Sequence, residues 1–191
     1  MVRILDTTLR EGEQTPGVYF DTHIKLAVAE LLNGVGIDYL EAGHPAVDTG
    51  IEEGVRELAS RELDVVVGAH SRSLMSDIEQ ALDCGVGFLG VFYCVSAERL
   101  GSVFKKPLRS ATEQIAEVIS RARQMSPKLT IRYTPEDTVR SAFENVLEAS
   151  AAAVEAGADI ISVADTTGHM IPGTERNMYD YVRGLRSSLK E

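Results

Sequence analysis

The sequence predicts a parallel α/β barrel, or most of one, on three observations. Short apolar, β-branched runs alternate with amphipathic helical patterns, one strand-helix unit about every 30 to 40 residues. That alternation is the pattern of βα units on a parallel sheet. Every strand run gives way to charged or hydroxyl side chains at its C-terminal end. A (β/α)8 barrel gathers such residues at the ends of many strands, whereas a doubly wound sheet concentrates them at one switch point. The first strand run is followed by no phosphate-binding Gly-x-Gly-x-x-Gly; the glycines of GVGFLG at 85–90 lead into a strand rather than open a helix.

The elements run in order. VRIL at 2–5 supplies the first strand and passes, with no turn dipeptide, into Asp6, Thr7, Thr8, Arg10 and Glu11. HIKLAVAELLNGVG at 23–36 is helical, with Ile24, Ala27, Val28, Leu31 and Leu32 spaced for an apolar face and glycines at its end. IDYLEAG at 37–43 is the second strand, ending at Glu41, and IEEGVRELASREL at 51–63 the next helix. DVVVGAH at 64–70 leads to His70 and Arg72, then to the helical SDIEQALDCGV at 76–86. GFLGVFYC at 87–94 leads to Ser96 and Arg99, then to SATEQIAEVISRARQM at 110–125. LTIRYT at 129–134 carries Arg132 and Thr134 into Glu136 and Asp137, ahead of AFENVLEASAAAVEAG at 142–157. DIISVAD at 159–165 ends in Asp165, Thr166 and Thr167, and TERNMYDYVRGLRSSL at 174–189 is the last helical pattern. Six βα units and no linker predict a single partial barrel domain over residues 1–191: an incomplete (β/α)8 TIM barrel with strands seven and eight absent.

Composition narrows the function. With 191 residues, 44% of them hydrophobic, the chain can bury a core. A net charge of -10 argues against nucleic acid as the main partner, because no basic stripe is available for phosphates. No charged leader precedes an apolar stretch and no run of apolar residues is long enough to span a bilayer, so a cytoplasmic protein without a signal peptide is expected. Cys84 and Cys94 lack C-x-x-C spacing and sit among apolar residues, which predicts buried thiols rather than a bridge.

The chemistry concentrates after the first strand. Two carboxylates and a guanidinium beside a strand are costly to bury unless they pair or bind something. A carboxylate next to an arginine suits a site that holds a divalent cation together with an anionic oxygen, and suits equally an Arg-carboxylate network closing one end of a barrel.

DTTLREGEQTPG at 6–17 resembles the opening strand of the homocitrate synthase and 2-isopropylmalate synthase family, within the DRE-TIM metallolyase superfamily. The resemblance continues through EAGHP, IRYTPEDTVRS and SVADTTGHMIP, and so runs the length of the chain. It implies condensation of acetyl-CoA with a 2-oxo acid on a divalent metal, Mg, Mn or Zn. Carried over residue by residue, it makes Arg10 the catalytic arginine that stabilises the enolate oxygen, Glu11 the metal ligand beside it, and Gln14 a neighbour of metal and substrate. Arg132, Thr134 and Thr166 match substrate-holding positions, Glu136 matches an acid of the same pocket treated as catalytic, and Arg72 falls where related synthases carry a substrate-facing arginine. Thr134 and Thr166 also read as ordinary strand-end threonines, and Arg132, Glu136, Asp137 and Arg140 as a salt-bridge network. His70 is read as a packed histidine in preference to a ligand, and His44 and His169 as loop residues.

The family's other metal ligands, a His-x-His pair on strand seven, have no counterpart among His23, His44, His70 and His169. This leaves two readings. One is an acyltransferase that needs a complementing chain for those ligands; the other is a non-catalytic oxo-acid-binding or regulatory module, or an inactive truncated product. Open strand edges predict a homo-oligomer or a heteromer rather than a monomer. Arg132 with Arg72 favours a second carboxylate, as in 2-oxoglutarate, over a branched 2-oxo acid.

Overall fold

The computed structural model describes residues 2–189. Six strands are hydrogen-bonded in chain order: β1 (Leu5–Asp6), β2 (Tyr39–Glu41), β3 (Val66–Arg72), β4 (Phe88–Cys94), β5 (Thr130–Glu136) and β6 (Ile160–Ile161). Sequential order with a helix after each strand is the topology of consecutive βα units, six of the eight in a (β/α)8 barrel. Both predicted thiols, Cys84 and Cys94, are free and buried. No helix among the described residues is long and apolar enough to cross a membrane.

The chain forms two compact units, residues 1–91 with 122–131, and residues 92–121 with 132–191. In the first unit β1, β2 and β3 pair in parallel, with Leu5 beside Tyr39 and Glu41 beside Gly68. Helices α1 (Thr8–Glu11), α2 (Thr22–Val35), α3 (Thr49–Ala59) and α4 (Met75–Asp83) belong to it. Its core includes Leu9, Leu40, Leu58, Ile78 and Leu89, all without solvent exposure.

Two details differ from the sequence reading. The first strand is shorter and later than residues 2–5: Val2 and Ile4 are exposed, although the Ile4 carbonyl accepts the Asp38 and Tyr39 amides. The chain then turns at once into α1 and a 3-10 turn at Gly12–Gln14, so Arg10 and Glu11 ride on a helical turn rather than a strand end. The inward face of α2 is also not the apolar stripe. Lys25 and Ala29 are buried, while Leu31 and Val35 are 73% and 78% exposed. The cause is close packing on α3: a Cβ on Gly54 would come 2.9 Å from Lys25 Cδ, so the lysine stem lies where that glycine has no side chain. The ends of α2 match the predicted pattern. Asp21 caps the Ile24 amide at 2.8 Å, and Gly36 closes the helix at φ 83, a conformation that glycine reaches without steric cost.

The second unit contains α5 (Ala97–Arg99), a π-helical turn at Leu100–Phe104, most of α6 (Leu108–Met125), most of β5, α7 (Phe143–Glu155), β6 and α8 (Met178–Ser188). Strand β5 pairs in parallel with β6, Arg132 beside Ile160 and Tyr133 beside Ile161. Its buried residues include Tyr133, Val146, Ala149, Ala153 and Leu185. Asn177 caps α8 on the Asp180 amide at 2.9 Å, and Phe143 meets Tyr181 edge-on at 5.6 Å.

Strand β3 leaves no room at Gly68, where a Cβ would lie 2.4 Å from Phe88 Cδ1 and 2.9 Å from the Phe88 carbonyl oxygen. Gly68→Ala should therefore cost about 1–3 kcal/mol by overpacking. Gly34→Ala, in open space on α2, should stabilise by about 0.5–1 kcal/mol through helix propensity. Urea midpoints of the two variants check both signs.

Candidate active site

In the first unit the ends of β1, β2 and β3 carry a connected polar cluster. Glu41 ends β2 and is fully buried. A carboxyl without water must be satisfied by the protein, and two neighbours do so. Arg10 Nε donates to Glu41 Oε2 at 2.7 Å, and His70 Nδ1, from β3, lies 3.3 Å from Oε1. The Arg10 side chain is only 13% exposed and also reaches Glu11 Oε1 at 2.6 Å through Nη2, whereas Glu11 is half-exposed. One guanidinium thus joins a buried carboxylate to an accessible one. It is fixed in orientation and flanked by charge that keeps it in place.

The cluster continues through a second pair. The His44 and His70 rings stand edge-to-face, centroids 6.4 Å apart, and His44 Nε2 lies 3.2 Å from Asp77 Oδ2. Arg72 grips the same carboxylate twice, Nε to Oδ2 at 2.6 Å and Nη2 to Oδ1 at 3.1 Å. Burial pushes the imidazolium of His44 below its ordinary range, and the bond to Asp77 only partly opposes this. Burial alone would raise Asp77; the hydrogen bonds from Arg72 and His44 outweigh it and hold the carboxyl below the usual carboxylate range.

In the second unit β5 alternates cleanly. Ile131, Tyr133 and Pro135 are buried on one face, and Arg132, Thr134 and Glu136 share the other, half-buried, as a period of two dictates. Glu136 accepts Arg99 Nη2 at 3.3 Å. The Thr134 hydroxyl oxygen is buried and meets no hydrogen-bond partner among the described residues. Beyond the strand Asp137 takes φ 55, an uncommon conformation for a non-glycine residue. Three contacts hold it there: its amide donates to Thr166 Oγ1 at 3.2 Å, its carboxylate takes Arg140 Nε at 2.8 and 3.0 Å, and its carbonyl accepts Ser141 Oγ. Thr138 donates to the Pro135 carbonyl and accepts the Ala164 amide at 2.9 Å, fastening the end of β5 to the segment after β6. Asp165 is drawn below the usual carboxylate range by the Met170 and His169 amides.

Of the residues expected to act, Arg10 and Glu11 come together, as do Arg132, Thr134 and Glu136 on one strand face, with Thr166 joined to the loop after that strand. Gln14 lies exposed on the 3-10 turn. Arg72 is committed to Asp77. Sequence reasoning passed over Asp77 and Thr138, and noted Glu41 only as a strand end. A carboxylate one residue before Ala-Gly at the end of an apolar run was the available signal for Glu41. Asp77 in an amphipathic helix offered none. Among the described residues no group of three or more His, Cys, Asp or Glu could hold a metal ion. Glu11 alone falls well short of the roughly six ligands that a hard divalent cation requires, so these residues do not by themselves fit the metal.

Consecutive parallel βα units in sequential strand order define the chain as part of a (β/α)8-type barrel. The chain belongs to the HMGL-like family, whose model matches residues 1–191. It is 43% identical over 169 residues to a homocitrate synthase of Pyrococcus horikoshii, covering 88% of this chain and 46% of that protein. It is 37% identical over 182 residues to a homocitrate synthase of Sulfolobus acidocaldarius, covering 93% of this chain and 38% of that protein. The chain thus spans about half the length of these relatives or less. Among solved structures, the HMG-CoA lyase of Bacillus subtilis superposes with a TM-score of 0.77 at 23% identity, over 97% of this chain and 64% of that one. The HMG-CoA lyase of Brucella melitensis gives 0.73 at 20% identity, over 98% and 67%. These structures show the barrel fold, and the sequence relatives bear out the resemblance read from DTTLREGEQTPG.

His44 should make the first unit acid-labile. Its folded pKa lies below the ordinary 6.5, so between the two values the unfolded chain binds more protons and stability rises with pH. The contribution is complete above 6.5 and is lost as pH falls through the lowered folded value. Asp77, whose folded pKa is also lowered, adds a loss of the same sign at more acid pH. Urea midpoints between pH 8 and 5 should fall toward acid, and His44→Gln should flatten the upper part of that slope; an unchanged slope would rule His44 out.

Proposed function

We propose that this chain contributes to an acyltransferase that condenses acetyl-CoA with a 2-oxo acid, of the homocitrate synthase type. The observation that carries the reading is the oriented, nearly buried Arg10 guanidinium within the LREGEQ motif, in a chain 37–43% identical to homocitrate synthases. Arg10 stabilises the enolate oxygen that develops as the acetyl methyl loses a proton, an oxyanion-hole role for a donor already locked in place. Glu136 is the proton-transferring carboxylate. The enolate carbon then bonds to the keto carbon of the oxo acid, whose oxygen takes up a proton. Water cleaves the thioester and releases the CoA thiol. Arg132 and the Thr134 hydroxyl, which meets no partner among the described residues, hold the oxo acid together with Thr166, and the resemblance makes Gln14 a further substrate-binding residue. Arg72 extends the carboxylate recognition only if it releases Asp77. Glu11 is the metal ligand that this chain offers to Mg, Mn or Zn, the remaining ligands coming from polypeptide outside residues 1–191. Assembly with a second copy or with a complementing chain belongs to the same reading, as does a cytoplasmic location.

A second reading rests on the β5 face alone. Arg132, Thr134 and Glu136 line one strand and could bind an oxo acid without catalysis. Calorimetry separates the two. Binding that persists in EDTA and survives Glu11→Gln favours the module; binding that requires metal and complementing polypeptide favours the enzyme.

The enzyme reading predicts that Arg10→Ala lowers CoA-thiol release by the complemented protein about 100- to 1000-fold. It also predicts a preference for 2-oxoglutarate over 2-oxoisovalerate of roughly tenfold or more, about 1.4 kcal/mol, that disappears in Arg132→Ala. An unchanged rate in Arg10→Ala, or a preference for the branched acid, would contradict these assignments.

A further inference from the structure

Lys25 has no solvent exposure, yet it lies on a surface helix of a strongly acidic chain. Its surroundings are shaped for it. A Cβ on Gly54 would press on its stem at 2.9 Å, and a Cβ on Gly43 would lie 3.7 Å from Nζ. The ammonium has three donors and uses all of them. It donates to the Leu9 carbonyl at 3.1 Å, to the Ala42 carbonyl at 2.9 Å and to Glu13 Oε2 at 2.8 Å. The other Glu13 oxygen accepts the Phe20 amide at 3.2 Å, which fixes the carboxylate in turn.

The identity of the two carbonyls is informative. Leu9 immediately precedes Arg10, and Ala42 immediately follows Glu41. One side chain from α2 therefore ties together the backbone beside both partners of the 2.7 Å Arg10–Glu41 bond. Burial works against the charged ammonium, lowering its pKa, and the Glu13 hydrogen bond opposes that. A group kept charged against burial only to fill space could be replaced by Met or Leu at lower cost; a three-way donor at this spot has a geometric task as well.

We propose that Lys25 is a positioning residue for the Arg10–Glu41 pair. By holding the α1 turn at a set distance from the end of β2, it fixes where the Arg10 guanidinium points, without touching substrate. The consequence for catalysis rests on the proposed role of Arg10 as enolate stabiliser; the structural part does not.

The test uses the full chain labelled with 15N, following the Arg10 Nε–H resonance, identified by its loss in Arg10→Lys. Lys25→Met keeps the stem and removes every donor. It should leave backbone dispersion folded while the hydrogen-exchange protection of Arg10 Nε–H falls at least tenfold. Leu58→Ala, a buried change in α3 that removes none of the three bonds, should lower the melting temperature and leave that protection in place. Glu13→Gln is the milder variant, expected to lower protection several-fold, and it carries the test if Lys25→Met does not fold. Wild-type protection in Lys25→Met, no change in Glu13→Gln, or equal loosening by Leu58→Ala would overturn the proposal. In the complemented protein Lys25→Met should lower kcat more than it raises KM. A loosened Arg10 with undiminished thiol release would support the positioning role and count against the acyltransferase reading.

Discussion

The buried carboxyl of Glu41 is the constraint on which the first unit's chemistry depends. It sits at the last position of β2 with no access to water, so the fold must bring donors to it or bear the cost of an uncompensated charge. Arg10 and His70 answer that demand from the elements before and after it in the chain. The guanidinium is consequently not a flexible surface cation. It is held through Nε, and what remains of its fork faces the half-exposed Glu11. A structural requirement, satisfying a buried acid, thereby delivers a preorganised donor on the helical turn that follows β1.

The second unit reaches order by another route. Strand β5 places Arg132, Thr134 and Glu136 on one face through simple alternation. The segment after this strand is less regular: Asp137 adopts a left-handed conformation, and threonine hydroxyls from Thr138 and Thr166 bridge the segments after β5 and β6. Hydroxyls are suited to this because each can donate and accept at once. Thr166 holds the loop, and Thr134 keeps a buried hydroxyl oxygen without a partner among the described residues.

Much of the architecture was legible in the sequence because the controlling signals are local. Period-two runs, 3.6-period helices, the Asp21 cap and the terminal Gly36 each act within a few residues. The Arg10–Glu11 motif was legible for the same reason. What the sequence concealed depends on packing between segments distant in the chain. The apolar stripe of α2 suggested the wrong inward face, because the decisive contact is a missing side chain at Gly54, and the residue that exploits it is a lysine. Strand β1 pairs with β2 through Leu5 and Asp6, and the commitment of Arg72 to Asp77 is set by where α4 begins.

A double-mutant cycle on Arg10 and Glu41 tests the central claim most directly, with urea unfolding of the chain carrying Arg10→Met, Glu41→Gln and both. If the buried acid depends on the guanidinium, each single change should cost about 3–5 kcal/mol by stranding its partner. The double variant should then cost less than the sum by about 1–3 kcal/mol. Additivity within about 0.5 kcal/mol would mean that the two groups are independent, and that Glu41 does not organise this end of the fold.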